Sequence, residues 1–215
     1  YRYEQGRYGD VVVHVLYQPG DSATWGRRVA VRRTEMALAW LDTLYGKFPW
    51  PQITNVHRIE GGGTEFPMMV MNGSAGLGLI VHEVGHNYTM GVLANNEWRE
   101  GWLDEGFTSF QTGWFFESRG GGQGSAYPGL EGNILFWDLE RWSEPVSMVS
   151  ERYRDFTTYN TMIYAKAQLF YEQLRYVVGD ESMRRILRAY YARWRLKHVD
   201  ESAFRDVAEQ VSGMD

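Results

Sequence analysis

Cysteine is absent from the 215 residues, which removes disulfides, thiolate catalysis and cysteine-bound zinc from consideration. No stretch approaches the roughly 18 consecutive apolar residues of a membrane-spanning helix, so no such segment is expected. Positive charge is not in excess: 22 Lys and Arg stand against 27 Asp and Glu, a formal net charge of −5. Without a basic footprint, a nucleic acid or other polyanion is not expected as a partner. Charged residues are dispersed rather than gathered in blocks, the pattern of a solvated surface. Internal repeats are missing as well. The chain opens Tyr1-Arg2-Tyr3 with neither Met nor a signal-like apolar stretch, so no targeting segment is visible and it reads as an excised or processed piece.

What remains is the composition of a packed enzyme-like domain. At 44% apolar, 15% aromatic and 23% charged, the chain can bury a sizeable core in one domain with room for two sub-domains. Strands come first and helices later. The β-branched run Val11-Val12-Val13-His14-Val15-Leu16 predicts a first strand, over 11–17, and the spaced apolar residues Val29, Met36, Leu41 and Leu44 predict a helix over 25–45 closed by Gly46. Strands are expected at 53–59 and 66–71, and helices at about 77–91, 102–118, 160–178, 181–195 and 200–212. The glycine-rich stretch 120–128 reads as a loop or lid.

Chemistry is concentrated in the run Val81-His82-Glu83-Val84-Gly85-His86 and in Trp102-Leu103-Asp104-Glu105-Gly106-Phe107. Residues four apart share one face of a helix, so His82 and His86 can present both imidazoles to one metal ion with Glu83 beside them. Glu105 follows His86 after 18 intervening residues, enough for the rest of one helix, a loop and the start of the next. Two His and one carboxylate leave a coordination position open. An open position distinguishes catalytic from structural zinc, because water held there has a pKa lowered to roughly 7. One zinc ion is therefore expected, with Glu83 as its base. His14, His57 and His198 have no partners at ligand spacing and are expected to be structural or exposed.

These segments resemble the gluzincin metallopeptidases and, among them, the M1 aminopeptidases. Four motifs agree in order over roughly residues 25–213. The family's zinc helix is followed at the same spacing by a W-L-N-E-G-F-like segment, in which only the Asn is changed, to Asp104. Upstream, its G-A-M-E-N or G-G-M-E-Y-P segment corresponds to Gly62-Gly63-Thr64-Glu65-Phe66-Pro67. Downstream, its Y-x-K-G helix start corresponds to Tyr164-Ala165-Lys166-Ala167. Two shorter stretches between these motifs, 44–51 and 178–181, also agree. Departures are Thr64 for Met, Phe66 for Asn or Tyr, Thr112 where many members have a carboxylate, and Asn87-Tyr88 where Gln and Trp are usual.

The resemblance implies an α+β fold: a thermolysin-like catalytic domain over 1–215, with a small mixed sheet in 1–76, including an edge strand, and a mostly helical part in 77–215. The family's flanking N-terminal β domain and C-terminal helical domain would be absent. It further implies that strand 66–71 is the edge strand beside the zinc helix, open to an extended peptide. Glu65 would hold a substrate's free amino group, Gly62 and Gly63 would contact the substrate backbone, and Tyr164 would stabilise the transition state; Tyr159 is a second, weaker candidate. The expected activity is zinc-dependent removal of N-terminal residues from peptides. A thermolysin-like endopeptidase and an inactive scaffold of the same fold stay open as alternatives.

Overall fold

Alternation in burial sets the first layer: Val11, Val13, Val15 and Tyr17 are buried and the residues between them half-exposed, so strand β2 (Val11–Tyr17) lays one face on the core. The computed structural model describes residues 1–120 and 127–214, which divide into two units, Tyr1–Gly91 and Val92–Asp215. In the first unit β1 (Arg2–Tyr8) pairs antiparallel with β2, from Arg2 opposite Tyr17 to Tyr8 opposite Val11. Helix α1 (Val29–Leu44) then crosses over, and β3 (Gln52–His57) returns parallel to β2. β4 (Gly63–Thr64) and β5 (Met69–Asn72) complete a mixed five-stranded sheet of order β1-β2-β3-β5-β4.

The strand expected at the edge beside the zinc helix is therefore an interior one. β5 is flanked by parallel β3 and antiparallel β4, and the edge falls to Gly63 and Thr64. A two-residue strand that includes a glycine carries no periodicity, and its composition reads as a turn. β1 escaped the sequence pattern for a related reason. Its residues are polar and mostly exposed, so its conformation comes from pairing with β2 rather than from burial of its own side chains. Helix α1 ends where expected, with the Gly46 N–H on the Asp42 carbonyl at 3.0 Å and Gly46 at φ +108°. It begins at Val29 rather than 25 because Arg27 and Arg28 both lie in the left-handed region, with φ of 54° and 64°. The Arg28 N–H is held there by the Glu4 carboxylate at 2.8 Å.

Three fully buried polar side chains run through this core in sequence. Asn72 donates to the Asn55 side-chain oxygen at 2.9 Å, Asn55 donates to the Thr34 hydroxyl at 3.3 Å, and Thr34 donates to the Ala30 carbonyl at 2.9 Å. They sit among Val13, Val15, Ile53, Val70, Leu38 and Leu41, all without solvent exposure. Helix α2 (Leu77–Leu93) is apolar and buried over most of its length, with Ile80, Val81, Val84 and Tyr88 at zero exposure. A helix buried on nearly all sides can carry polar groups only where they are satisfied or functional.

The second unit is helical: α3 (Glu97–Glu100), α4 (Glu105–Ser118), α5 (Tyr127–Leu139), α6 (Phe156–Asn160), α7 (Ala167–Val178), α8 (Asp180–Trp194) and α9 (Glu201–Ser212). A π-helical segment, Thr161–Lys166, joins α6 to α7. The helices expected from periodicity are present. α5 was not expected, since Pro128, Gly129 and Gly132 mask it; proline is tolerated in a first turn, where its missing N–H is not needed. Residues 121–126 of the glycine-rich stretch lie outside the described residues. The core is aromatic: the Phe107 and Tyr171 rings stack at 4.0 Å, Phe204 meets Phe107 edge-on at 5.0 Å, and the Tyr171 hydroxyl donates to the Trp102 carbonyl at 3.2 Å. No helix among the described residues is long and apolar enough to cross a membrane.

Candidate active site

Helix α2 brings His82 and His86 together as the i, i+4 spacing requires. Their ring centroids are 4.7 Å apart with planes at 82°, and a ring nitrogen of each lies within 4.8 Å of the other. His86 is 1% exposed and His82 half-exposed, so the pair has one dry and one accessible member. Glu83 is 5% exposed. Its carboxylate lies against the backbone of Gly63, so closely that a Cβ at position 63 would fall on it. Edge strand β4 and the carboxylate of α2 are thus in van der Waals contact, an approach only glycine permits.

The ribbon 60–69, which leads from β3 through β4 into the first residue of β5, passes over this helix. It includes Glu65, which is half-buried, with a carboxylate oxygen within 4.8 Å of a His86 ring nitrogen. Gly62 is exposed with φ +74°, and its carbonyl accepts from the Gly73 N–H at 2.8 Å. At the far end Met68 has φ +59°, unusual for a side-chain-bearing residue. The Met68 N–H donates to the side chain of Asn87 at 2.7 Å, and Asn87, fully buried, donates in turn to the Glu83 carbonyl at 3.4 Å.

In the second unit, the 3₁₀ turn Gly101–Leu103 leads into α4, whose first residue is Glu105, half-buried behind the fully buried Asp104. Gly106 allows α4 to meet α7: a Cβ there would come 2.7 Å from that of Ala167 and 3.1 Å from the Tyr171 ring. Overpacking of this kind costs about 1–3 kcal/mol. Gly106→Ala is accordingly expected to lower stability by that amount in urea titration, and an unchanged midpoint would show that the helices yield freely.

Tyr164 is half-buried within the π-helical segment, a local widening often found at functional sites. The segment is tied down by Lys166, whose ammonium donates to the Ser143 hydroxyl at 2.6 Å and the Glu144 carbonyl at 3.1 Å. Tyr159 lies one turn earlier. Burial first, and then the negative charge of Glu105, push its phenol above the usual range. The other histidines are held elsewhere: His14 by the Tyr3 hydroxyl at 2.8 Å, His57 stacked on Trp25 at 4.5 Å, His198 by the Ala94 carbonyl at 3.1 Å.

Arg58 was not legible as a site residue. Its guanidinium donates to the carbonyls of Glu60, Gly61 and Gly63 and to the Thr64 hydroxyl, at 3.3, 2.9, 3.2 and 2.6 Å. The only trace of this in the sequence is the departure at Thr64, which supplies a hydroxyl where the resembling family has Met.

Comparison with known proteins gives a consistent picture. A family model, "Peptidase family M1 domain", matches residues 71–215. Aminopeptidase B of Rattus norvegicus is 27% identical over 199 residues, 80% of this chain and 28% of that protein. Leucine aminopeptidase 2-1 of Meyerozyma guilliermondii is 24% identical over 175 residues, 75% of this chain and 26% of that protein. The crystal structure of an M1 zinc metallopeptidase from Deinococcus radiodurans superposes with a TM-score of 0.77 at 19% identity, covering 98% of this chain and 47% of that one. A variant of it bound to a Tyr-Ser-Ala substrate gives 0.76 at 18% identity, covering 99% and 48%. The chain thus spans about half the length of these solved structures and a little over a quarter of the curated relatives. At these identities the superpositions show the fold, the α+β arrangement expected from the sequence.

Proposed function

The chain belongs to peptidase family M1, and on that premise we propose that residues 1–215 form the catalytic module of a zinc-dependent metalloaminopeptidase that removes the N-terminal residue of peptides. The observation that carries this reading is the α2 pair: two imidazoles meeting edge-on with ring centroids 4.7 Å apart, with the buried carboxylate of Glu83 next to the first in sequence. The donor set fits zinc. His82 and His86 are proposed as two ligands and Glu105 as the third, a two-His, one-carboxylate set that leaves a fourth position open. Bound there, zinc supplies a Lewis acid for the scissile carbonyl and a water of lowered pKa.

Protein groups carry the other steps. Glu83 accepts the proton of the attacking water and passes it to the leaving amine, base first and acid second. The Tyr164 phenol donates a hydrogen bond to the carbonyl oxygen as it gains negative charge. Glu65 accepts from the α-ammonium of the substrate, a charge-assisted contact that favours a free N-terminus and penalises a blocked one, which would leave a desolvated carboxylate unpaired. The backbone of Gly62 and Gly63 borders the first substrate residues. The Tyr-Ser-Ala substrate bound to the Deinococcus radiodurans metallopeptidase variant, which shares this fold, supports a short peptide as substrate class.

Aminoacyl-coumarins and their N-acetylated forms, offered to zinc-loaded protein, test the reading. Release of coumarin from the free-amine forms alone, abolished by chelation and restored by zinc, is the expected result. Cleavage of acetylated forms would replace it with an endopeptidase, and stoichiometric zinc without turnover would replace it with a scaffold.

A further inference from the structure

The ribbon 60–69 has little to pack with. Gly61, Gly62 and Gly63 have no side chains, Ile59 before it is 86% exposed, Phe66 is 50% exposed and Met69 44%. Apolar burial, the usual means of fixing a segment, is nearly absent here. Yet the ribbon carries the two groups whose positions matter most, Gly63 against Glu83 and Glu65 beside His86. Something else must hold it.

Backbone pairing of Gly63 and Thr64 with β5 holds its middle, and polar side chains hold both ends. At the C-terminal end, Asn87 of α2 takes the Met68 N–H and so stabilises a left-handed residue next to the zinc helix. At the N-terminal end, the planar fork of Arg58 spans five residues of the ribbon, engaging three carbonyls and the Thr64 hydroxyl. Thr64 relays the restraint by donating to the Gly63 carbonyl at 2.8 Å. Arg58 is itself anchored, since its N–H donates to the Asn72 carbonyl at 2.9 Å and its side chain is only 22% exposed. A guanidinium suits this task because its donors point in fixed directions; an ammonium is a single point of attachment.

We propose that Arg58 is a specificity-determining positioning residue: together with Thr64 and Asn87 it clamps the ribbon so that Glu65 stands where a free α-amine is captured. This rests on the aminopeptidase reading for its consequence but not for the clamp itself. An amine contact made equally in the ground and transition states acts on KM rather than kcat. Loosening the clamp therefore weakens capture of the amine while the chemistry proceeds at nearly its former rate.

The test combines amide hydrogen exchange across 60–69 with steady-state kinetics on leucyl-coumarin, for zinc-loaded wild type, Arg58→Lys and Thr64→Val. Removing two or three of these hydrogen bonds is expected to speed exchange in 60–65 by at least about tenfold in Arg58→Lys. KM should rise about tenfold while kcat stays within about threefold, with zinc content unchanged and a smaller change of the same kind in Thr64→Val. Unchanged exchange and KM would overturn the proposal, as would a fall in kcat with loss of zinc at constant KM, which would make Arg58 a support of the metal helix. A wild type that binds zinc but cleaves no free-amine substrate would defeat the aminopeptidase reading, and the exchange rates would still decide the clamp.

Discussion

Replacing Glu83 by Gln is expected to lower kcat by about 10²–10⁴-fold, the usual contribution of a general acid and base, while zinc content and KM stay close to those of the wild type. Gln preserves the shape and length of the side chain, so the buried contact with Gly63 and the packing of α2 are kept. What the proposed mechanism loses is a group that takes a proton from water and returns it to the leaving amine. Metal analysis and kinetics on the same preparation separate this from loss of the site. Substantial turnover by the variant would mean that another group is the base and that Glu83 is a packed polar residue.

Gly63→Ala is expected to have the next largest effect, a fall in kcat/KM of about 100-fold with the fold retained. Gly63 does not have a positive φ, so alanine meets no backbone strain there. The obstacle is its methyl group, which would land on the Glu83 carboxylate. A carboxylate at the end of a flexible side chain yields more cheaply than a packed helix, so Glu83 swings away and the loss appears as activity rather than stability. Gly46→Ala is the matching control. At φ +108° it incurs about 1–2 kcal/mol of left-handed strain, but open space surrounds it and it lies at the end of α1, outside the proposed site. Thermal melts and kinetics on the two variants should therefore diverge: Gly46→Ala less stable and active, Gly63→Ala stable and impaired. Equal activity of both would show that β4 stands further from Glu83 than the contact implies.

Legibility followed the physics of each element. The pairing of His82 with His86 could be read because a 3.6-residue period converts i, i+4 spacing directly into a shared helix face, and the long helices of the second unit could be read for the same reason. β2 declared itself by its run of β-branched residues. The failures were elements whose conformation is imposed by neighbours. β1 is a strand because β2 offers it a ladder, and β4 because β5 does. α5 hides behind Pro128, Gly129 and Gly132, and the π-helical widening at 161–166 leaves no mark in the pattern of apolar residues. Arg58 was invisible for another reason: it binds backbone carbonyls, which every residue possesses, so no partner residue type announces it.

The buried line of Thr34, Asn55 and Asn72 has a consequence for how this protein can change. Each amide or hydroxyl satisfies the next inside an apolar core, so a single apolar replacement orphans a neighbour at about 1–3 kcal/mol, whereas replacing both partners of a bond can be nearly neutral. Tolerance at one of these positions is therefore conditional on the residues at the other two. A slip of β3 by one residue would turn Asn55 to the opposite face of the sheet. Sequence drift at these three sites is thus epistatic: an apolar core there is reachable in principle, but only across less stable single mutants, and until that crossing is made the register that sets the span of the ribbon between β3 and β5 stays locked.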